Sequence, residues 1–400
     1  MTPAARPERQ LRVLTLTGAY FPEIGSGGLQ AQMVARAAGD RVEFRVLTTA
    51  VDPTLPRHQV IDGVAVSRIA VNADSLVSKI QAADQMLREA VALLRESDVV
   101  HLHGYSQKNV LVSALARILR VPIVLSLHTA GFDEPATIAA QGALARWSFN
   151  AAKVYVAVSP RLKEACAAAG IPESKVRYVP NGVDLTRFHP AAAHTRPELR
   201  RSLGLEPTRP AVLFVGFFSR EKQPDVLFDG WLRLQDTPQT ASTLVMVGAT
   251  RSRYFEVDER IAGEMRARAQ AAGVADRLVF VEPTHRIHEY YRAADVFVLP
   301  SRREGLPVAL LEAMACGLPV VASRLPGATD VVVEDERSGL LVTPGDVDAL
   351  SAAIRRVLSD RSFADTLGAS ARRRIEADFG AARVADQWIA AYRDVMTEAA

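Results

Sequence analysis

Two glutamates eight positions apart carry the strongest chemical signal in the sequence. Glu304 and Glu312 lie in the segment Val296–Val321, VFVLPSRREGLPVALLEAMACGLPVV. An apolar strand ends at Leu299-Pro300, and a loop carries Glu304. Pro307 stands where a first helical residue would, its missing N–H being no loss there. The helix then runs through Glu312 and stops at Gly317. The turn Gly305-Leu306-Pro307-Val308 leads into the positive end of the helix dipole, where unpaired backbone N–H groups make an anion site that suits a diphosphate. Glu312 lies about 7–8 Å further along the helix axis. That is roughly the distance from a diphosphate to the ribose hydroxyls of the same nucleotide, and a carboxylate accepts from two hydroxyls at once. Glu304, in the loop, would face a transferred group. The plainer reading makes both solvated charges near a helix start, each worth about 0.3–1 kcal/mol against the dipole. Against it, Glu312 sits inside the apolar run Val308–Ala315, where an unpaired carboxylate is costly.

A basic pair follows another strand, in Val215-Gly216-Phe217-Phe218-Ser219-Arg220-Glu221-Lys222. Gly216 would let the backbone approach a ligand closely. Arg220 and Lys222 would offer a fork and a point charge to phosphate, stabilising negative charge on a leaving group. The alternative is two surface cations balanced by Glu221. A third loop, after Arg12–Thr17, holds Gly25, Gly27 and Gly28 before a helix expected to begin near Gly28. Its spacing is GxGG, not GxGxxG, and Thr48-Thr49 rather than an acid end the next strand, which argues against a dinucleotide-binding oxidoreductase. His128 follows Ile123–Leu127 and is expected to face a crevice, bonding a sugar hydroxyl or relaying a proton. His101 and His103 alternate onto one face of a strand. Asp346-Val347-Asp348 spells DxD, a metal signal elsewhere, but an N-cap accounts for Asp346, so no metal site and no cofactor are expected.

These residues need a frame that places loops after strands. Strand-length apolar runs occur at Arg12–Thr17, Glu43–Leu47, Val64–Ile69, Val99–Leu102, Ile123–Leu127, Val154–Val158 and Val176–Val179. They alternate with helical stretches such as Lys79–Arg95 and Gln107–Leu119. Nearly continuous apolarity suits parallel strands buried on both faces. A proline-rich stretch, Arg187–Pro210, with one short helix near Glu198–Leu203, breaks the pattern. It restarts at Ala211–Val215, Thr243–Val247, Leu278–Val281, Val296–Leu299, Pro319–Ala322 and Leu340–Val342. The expectation is an α/β chain of two doubly wound, Rossmann-like domains, residues 1–188 and 189–378, with ligands in the crevice outside the strand ends. Residues 379–400 read as one helix with an apolar stripe, either an ordinary packing helix or one that returns to the first domain.

Composition narrows the classes. The 400 residues are 48% hydrophobic and 23% charged, and a net charge of +3 with mixed signs gives no basic stripe for nucleic acid. Cys166 and Cys316 form no disulfide framework or zinc pair. No apolar run reaches membrane-spanning length. The polar stretch Met1–Gln10 lacks a signal-peptide core, so a cytoplasmic location is expected, with peripheral association at the inner membrane face left open.

EGLPVALLE resembles the E-x7-E motif of the large retaining glycosyltransferase family 4, whose members have the two-domain GT-B fold. So does its setting, YRAADVFVLPSRREGLPVALLEAMACGLPVVAS, and so do VPNGVDLTRFHP at Val179–Pro190, VGFFSREK at Val215–Lys222 and SGLLVTPGD at Ser338–Asp346. The resemblance implies two domains facing across a cleft. It implies a nucleotide-sugar donor held mainly by the C-terminal domain at Gly216, Arg220, Lys222, Glu304, Gly305, Leu306, Pro307, Val308 and Glu312. It also implies an unidentified acceptor, small molecule, glycan or lipid-linked, held mainly by the N-terminal domain, a donor-phosphate and acceptor loop at Gly25, Gly27 and Gly28, a sugar-contacting His128, and no obligatory metal. Many members place an arginine directly after the glycine at 216. Phe217 stands there, and Arg220 is expected to act in its place. A nucleotide-sugar epimerase or hydrolase of the same fold, or a non-catalytic nucleotide-sugar sensor, are the rival readings.

Overall fold

The computed structural model describes residues 10–23, 25–72, 75–250 and 257–397. The chain divides into two units, residues 1–182 with 381–400, and residues 183–380. The first boundary therefore falls six residues before the expected 188, and the C-terminal helix belongs to the first unit. The segment read as a polar N-terminus lies, up to residue 9, outside the described residues, as do residues 398–400.

The first unit runs β1 (Leu11–Thr17), α1 (Ser26–Ala38), β2 (Val42–Ala50), β3 (His58–Ile61), β4 (Val64–Ala70), α2 (Leu76–Arg95), β5 (Val99–His103), α3 (Lys108–Ile118), β6 (Ile123–Leu127), α4 (Pro135–Ala140), α5 (Ala143–Phe149), β7 (Val154–Ala157), α6 (Pro160–Ala168) and β8 (Val176–Tyr178). Its sheet has the order β3-β4-β2-β1-β5-β6-β7-β8. All neighbours are parallel except β3 and β4, which pair antiparallel. That hairpin departs from the expected all-parallel sheet. Its turn is Asp62-Gly63, both at positive φ (51° and 80°), as a two-residue hairpin turn requires. The central strands β5, β6 and β7 are buried along their whole length, which explains their unbroken Val, Ile and Leu runs.

The second unit runs α7 (Arg196–Ser202), β9 (Ala211–Val215), α8 (Pro224–Leu232), β10 (Thr243–Val247), α9 (Glu259–Ala271), β11 (Leu278–Val281), α10 (Ile287–Ala293), β12 (Val296–Leu299), α11 (Val308–Ala315), β13 (Val320–Ser323), β14 (Leu340–Val342), α12 (Val347–Ser359) and α13 (Arg361–Asp378). Its sheet order is β11-β10-β9-β12-β13-β14, parallel throughout. The strand order reverses between β9 and β12. In an open α/β sheet, that reversal parts the loops at the carboxyl ends and leaves a crevice. In the first unit the same reversal lies between β1 and β5.

Helix α14 (Ala381–Thr397) completes the first unit. Its apolar stripe Val384, Trp388, Tyr392 and Val395 is buried with Val34, Ala35 and Ala38 of α1 in one core. Tyr392 Oη lies 2.7 Å from Nδ1 of His101 on β5, and the Trp388 ring packs 4.4 Å from the same imidazole. Of the two readings of residues 379–400, the structure therefore has the returning helix. The chain crosses between units twice, at adjacent places. Val183 N–H donates to the Phe379 carbonyl at 2.9 Å.

Trp388 is 2% exposed. Its replacement by alanine should lower the stability of the first unit by about 3–5 kcal/mol, read from the urea midpoint of the variant. A loss under about 1 kcal/mol would mean that α14 is not part of that core.

Candidate functional site

The carboxyl ends of β9 and β12 are neighbours, with Val212 opposite Val296 and Leu213 opposite Phe297. The loop after β9 folds tightly. Lys222 N–H and Gln223 N–H both donate to the Ser219 carbonyl, at 3.2 and 3.0 Å. Gln223 takes a left-handed backbone (φ 48°) before Pro224 starts α8. The loop after β12 is stitched to it. Arg302 N–H donates to the Glu221 carbonyl at 2.8 Å, and Arg303 lies 3.4 Å from the Glu221 carboxylate.

This stitching brings the predicted Lys222 and Glu304 together. Lys222 Nζ donates to both carboxylate oxygens, at 2.6 and 2.7 Å. Glu304 is only 7% exposed, so its charge depends on this partner. The Lys222 side chain keeps 27% of its surface, which leaves part of the ammonium open to a ligand. Helix α11 begins next to the pair in sequence. Pro307 is the residue before its first turn (φ −73°, ψ 114°), not the first helical residue as expected. The shift is physical: Pro307 accepts, through its carbonyl, from Leu310 and Leu311, but it has no N–H of its own to offer an anion. The groups without an intrahelical acceptor are the N–H groups of Val308 and Ala309. Gly305 and Leu306 are buried, and Leu306 packs its side chain at 3% exposure, so these two shape the turn.

Gly216 has a partner that sequence reasoning missed. A Cβ at Gly248, just after β10, would lie 1.9 Å from the Gly216 carbonyl oxygen. The two strand ends can run this close only with glycine at 248. A Cβ at Gly216 itself would press on the Phe214 ring at 3.1 Å. Arg220 is not brought to Lys222 and Glu304. Its side chain is 80% exposed and lies 3.8 Å from Asp258, the N-cap of α9.

Glu312 is the site's second carboxylate, half-buried on α11. Tyr291 of α10 donates its hydroxyl to Oε2 at 2.8 Å. Burial pushes the Glu312 carboxyl up to about 7, opposed by the Tyr291 hydrogen bond and the Arg187 charge. One oxygen is thus engaged, and Oε1 is left for a ligand. Tyr291 had no local sequence signal, because it meets Glu312 only through the packing of α10 on α11.

In the first unit, the switch-point loops hold the glycines and histidines. Gly25 is the N-cap of α1, which begins at Ser26, earlier than expected. Gly27 and Gly28 therefore lie inside the first helical turn. A Cβ at Gly28 would sit 2.1 Å from the Ala19 carbonyl oxygen. Close packing of the loop on its own helix accounts for Gly28 without a ligand. His128 Nε2 lies 2.8 Å from Ser126 Oγ and 3.2 Å from His103 Nδ1. His101 Nε2 lies 3.0 Å from Ser126 Oγ. Burial pushes His128 down to about 4, against a raising hydrogen bond with Asn181. Burial also holds His101 and His103 well below the ordinary histidine value. All three are neutral at pH 7. His101, fully buried under α14, is a structural residue. His128 is 5% exposed and too weak a base for the proton relay considered from sequence. Asp133 caps the loop beyond it, accepting from the N–H groups of Tyr105, His128 and Thr129 at 2.8 Å each.

Asp346 accepts from Ala349 N–H at 2.9 Å as the N-cap of α12, and Asp348 pairs with Arg233. Among the described residues, no group of three or more His, Cys, Asp or Glu side chains is arranged to hold a metal ion.

Comparison with known proteins bears on this arrangement. Residues 195–374 match the model for glycosyl transferases group 1, and residues 28–187 match that for Glycosyltransferase Family 4. The chain is 32% identical to a D-inositol 3-phosphate glycosyltransferase of Geodermatophilus obscurus, over 94% of this chain and 86% of that one. It belongs to glycosyltransferase family 4. The chain is also similar to an alpha-maltose-1-phosphate synthase of Mycolicibacterium smegmatis, 31% identical over 74% of this chain and 79% of that protein. The solved structure of Anabaena HepE in complex with UDP and glucose superposes with a TM-score of 0.78 at 20% identity, covering 96% of this chain and all of that one. Sucrose-phosphate synthase from Thermosynechococcus elongatus gives 0.77 at 24% identity, over 97% and 100%. This family-4 glycosyltransferase thus has the GT-B fold of two Rossmann-like domains.

The Glu312 carboxyl titrates higher in the folded chain than in the unfolded one. Between its ordinary value and about 7 the folded state alone holds the proton, so stability falls as pH rises through that window. Glu312→Gln keeps a partner for Tyr291 and removes the buried charge. The variant should melt higher than wild type at about pH 8, with the gap closing towards about pH 5. A gap independent of pH, measured by calorimetry, would contradict the assignment.

Proposed function

We propose that this glycosyltransferase moves a hexose-type sugar from a nucleotide diphosphate sugar to an acceptor, with retention of configuration and without a metal ion. The observation that carries the reading is the Lys222–Glu304 pair, held at the β9–β12 switch point beside the start of α11. A diphosphate would take charge-assisted hydrogen bonds from Lys222 and the N–H groups of Val308 and Ala309. As the bond between C1 and the phosphate oxygen breaks, the leaving phosphate gains negative charge, and these groups stabilise it. Glu304 accepts from hydroxyls of the transferred sugar, and Glu312 Oε1 accepts from the ribose. The acceptor oxygen attacks C1 on the face that the phosphate leaves, and its proton passes to the departing phosphate oxygen. His128, neutral, is assigned a hydrogen bond to a sugar hydroxyl. The switch-point loop around Gly25 and Gly27 is assigned to the acceptor side. Arg220, exposed and paired with Asp258, can swing to the phosphates only by leaving that carboxylate.

The relatives support the nucleotide-sugar reading by likeness. HepE was solved with UDP and glucose, and several relatives named above transfer or build sugars.

The test starts with UDP, GDP and ADP sugars, calorimetric binding and product analysis by NMR. One base should bind, and the new glycosidic bond should keep the donor's anomeric configuration. Lys222→Ala should lower kcat by about 10²–10³. Because ribose binding favours the ionised Glu312, affinity should strengthen as pH rises from about 6 to 8, with proton release on binding below about 7. Glu312→Gln should bind more weakly and lose that pH dependence. Affinity that stays flat with pH in wild type would refute the ribose assignment. Donor turnover without an acceptor, giving an epimer, would refute the transferase reading.

A further inference from the structure

Helices α3 and α5 carry an unusual run of charge. From residue 107 to 153 the only acids are Asp133 and Glu134. Asp133 is 5% exposed and spent on backbone N–H groups. Glu134 accepts from Gly131 N–H and lies 3.7 Å from Arg161. Arg117, Arg120 and Arg146 are exposed, and none forms an ion pair with a described residue. Elsewhere exposed arginines commonly have a carboxylate partner, as in Arg36–Asp62, Arg356–Glu336 and Arg361–Asp365.

Large apolar side chains stand among these cations. Ile118, at the end of α3, is 75% exposed, Leu144 is 70% and Trp147 is 39%. Leu144 and Trp147 are three apart on α5 and share its outer face. The Arg117 guanidinium lies 5.7 Å from the centre of the Trp147 ring, which ties the end of α3 to that face. Helix α2 also exposes Val77, Ile80 and Leu87, but there Lys79, Arg88 and Arg95 are interspersed with Asp84 and Glu89, and Arg88 pairs with Asp84. Among the described residues, the α3–α5 face alone joins exposed aliphatics, an exposed tryptophan and cations without a carboxylate partner.

We infer that this face docks on an anionic lipid surface. Ile118 and Leu144 enter the boundary between headgroups and acyl chains. Trp147 sits at headgroup level, where its apolar body and N–H are both satisfied. Arg117, Arg120 and Arg146 lie along the apolar stems and place their guanidinium groups on lipid phosphates. A protein partner would need a shaped groove or matching acids in fixed places. A bilayer needs only this mixture on one convex face. The inference is independent of the donor-site reading.

The test is flotation with vesicles of phosphatidylcholine alone, and of phosphatidylcholine containing about one third phosphatidylglycerol. Wild type should float with the anionic vesicles and be released by salt. The other two tryptophans, Trp231 and Trp388, are buried, so a blue shift of emission on binding reports Trp147. Arg117→Glu, Arg120→Glu and Arg146→Glu together should lower partitioning about tenfold or more. Trp147→Ala should lower it and remove the blue shift. All four side chains are exposed, and unchanged circular-dichroism melts would exclude misfolding as the cause. Equal binding to neutral vesicles, no binding to either, or partitioning unmoved by both variants would each overturn the inference.

Discussion

The Lys222–Glu304 ion pair sets the terms for everything around it in the second unit. A carboxylate as buried as Glu304 is costly without a partner, and one amine meets both its oxygens. The loops after β9 and β12 must therefore stay in register, and the Arg302–Glu221 backbone bond keeps them there. Lys222 stays part-exposed while Glu304 is buried, so the ammonium keeps some contact with solvent on the side away from the carboxylate. Glycine at 248 answers a separate constraint, the closeness of the β10 and β9 ends, where a Cβ would strike the Gly216 carbonyl oxygen.

Much of this was legible in the sequence, for a local reason. Parallel strands buried on both faces write themselves as short Val, Ile and Leu runs, and thirteen of the fourteen strands were readable that way. The exception, β3, is a short edge strand with three of its four residues exposed, so it lacks an unbroken apolar run. Its Asp62-Gly63 turn was the available signal. Lys222 and Glu304 were readable because each lies in a loop that follows a strand, and Glu312 because it is a lone carboxylate inside an apolar helical run. What stayed hidden was non-local. Tyr291 reaches Glu312 through helix packing. Tyr392 meets His101 across 291 positions of chain. Arg220 turns to Asp258, a capping carboxylate 38 positions further on that the local sequence does not announce. Pro307 fell one position off, since a proline serves either side of a helix start.

The first unit uses polar burial differently. His101, His103 and His128 are packed on one another, the first two also on Trp388, and burial keeps them neutral, so the His101–Ser126–His128 array is a chain of hydrogen bonds rather than a charge store. Helix α14 closes over it from the far end of the chain. The array thereby links the last helix to the loop that carries His128, and displacement of α14 would be felt at that loop.

Glu312 shows the opposite arrangement, a polar group left in tension. Burial raises its carboxyl to about 7, so near neutral pH the folded chain carries either a desolvated charge or a bound proton. A purely structural residue at that place would be a glutamine or an apolar side chain, and the fold would be more stable for it. The tension has a use only if something arrives to relieve it. Hydroxyls donating to Oε1 would restore the hydration that burial removed, and binding would then recover part of what burying the carboxyl costs the fold. Stability lost in the resting protein is, on this view, the source of selectivity for a ligand with hydroxyls at that distance from its phosphates.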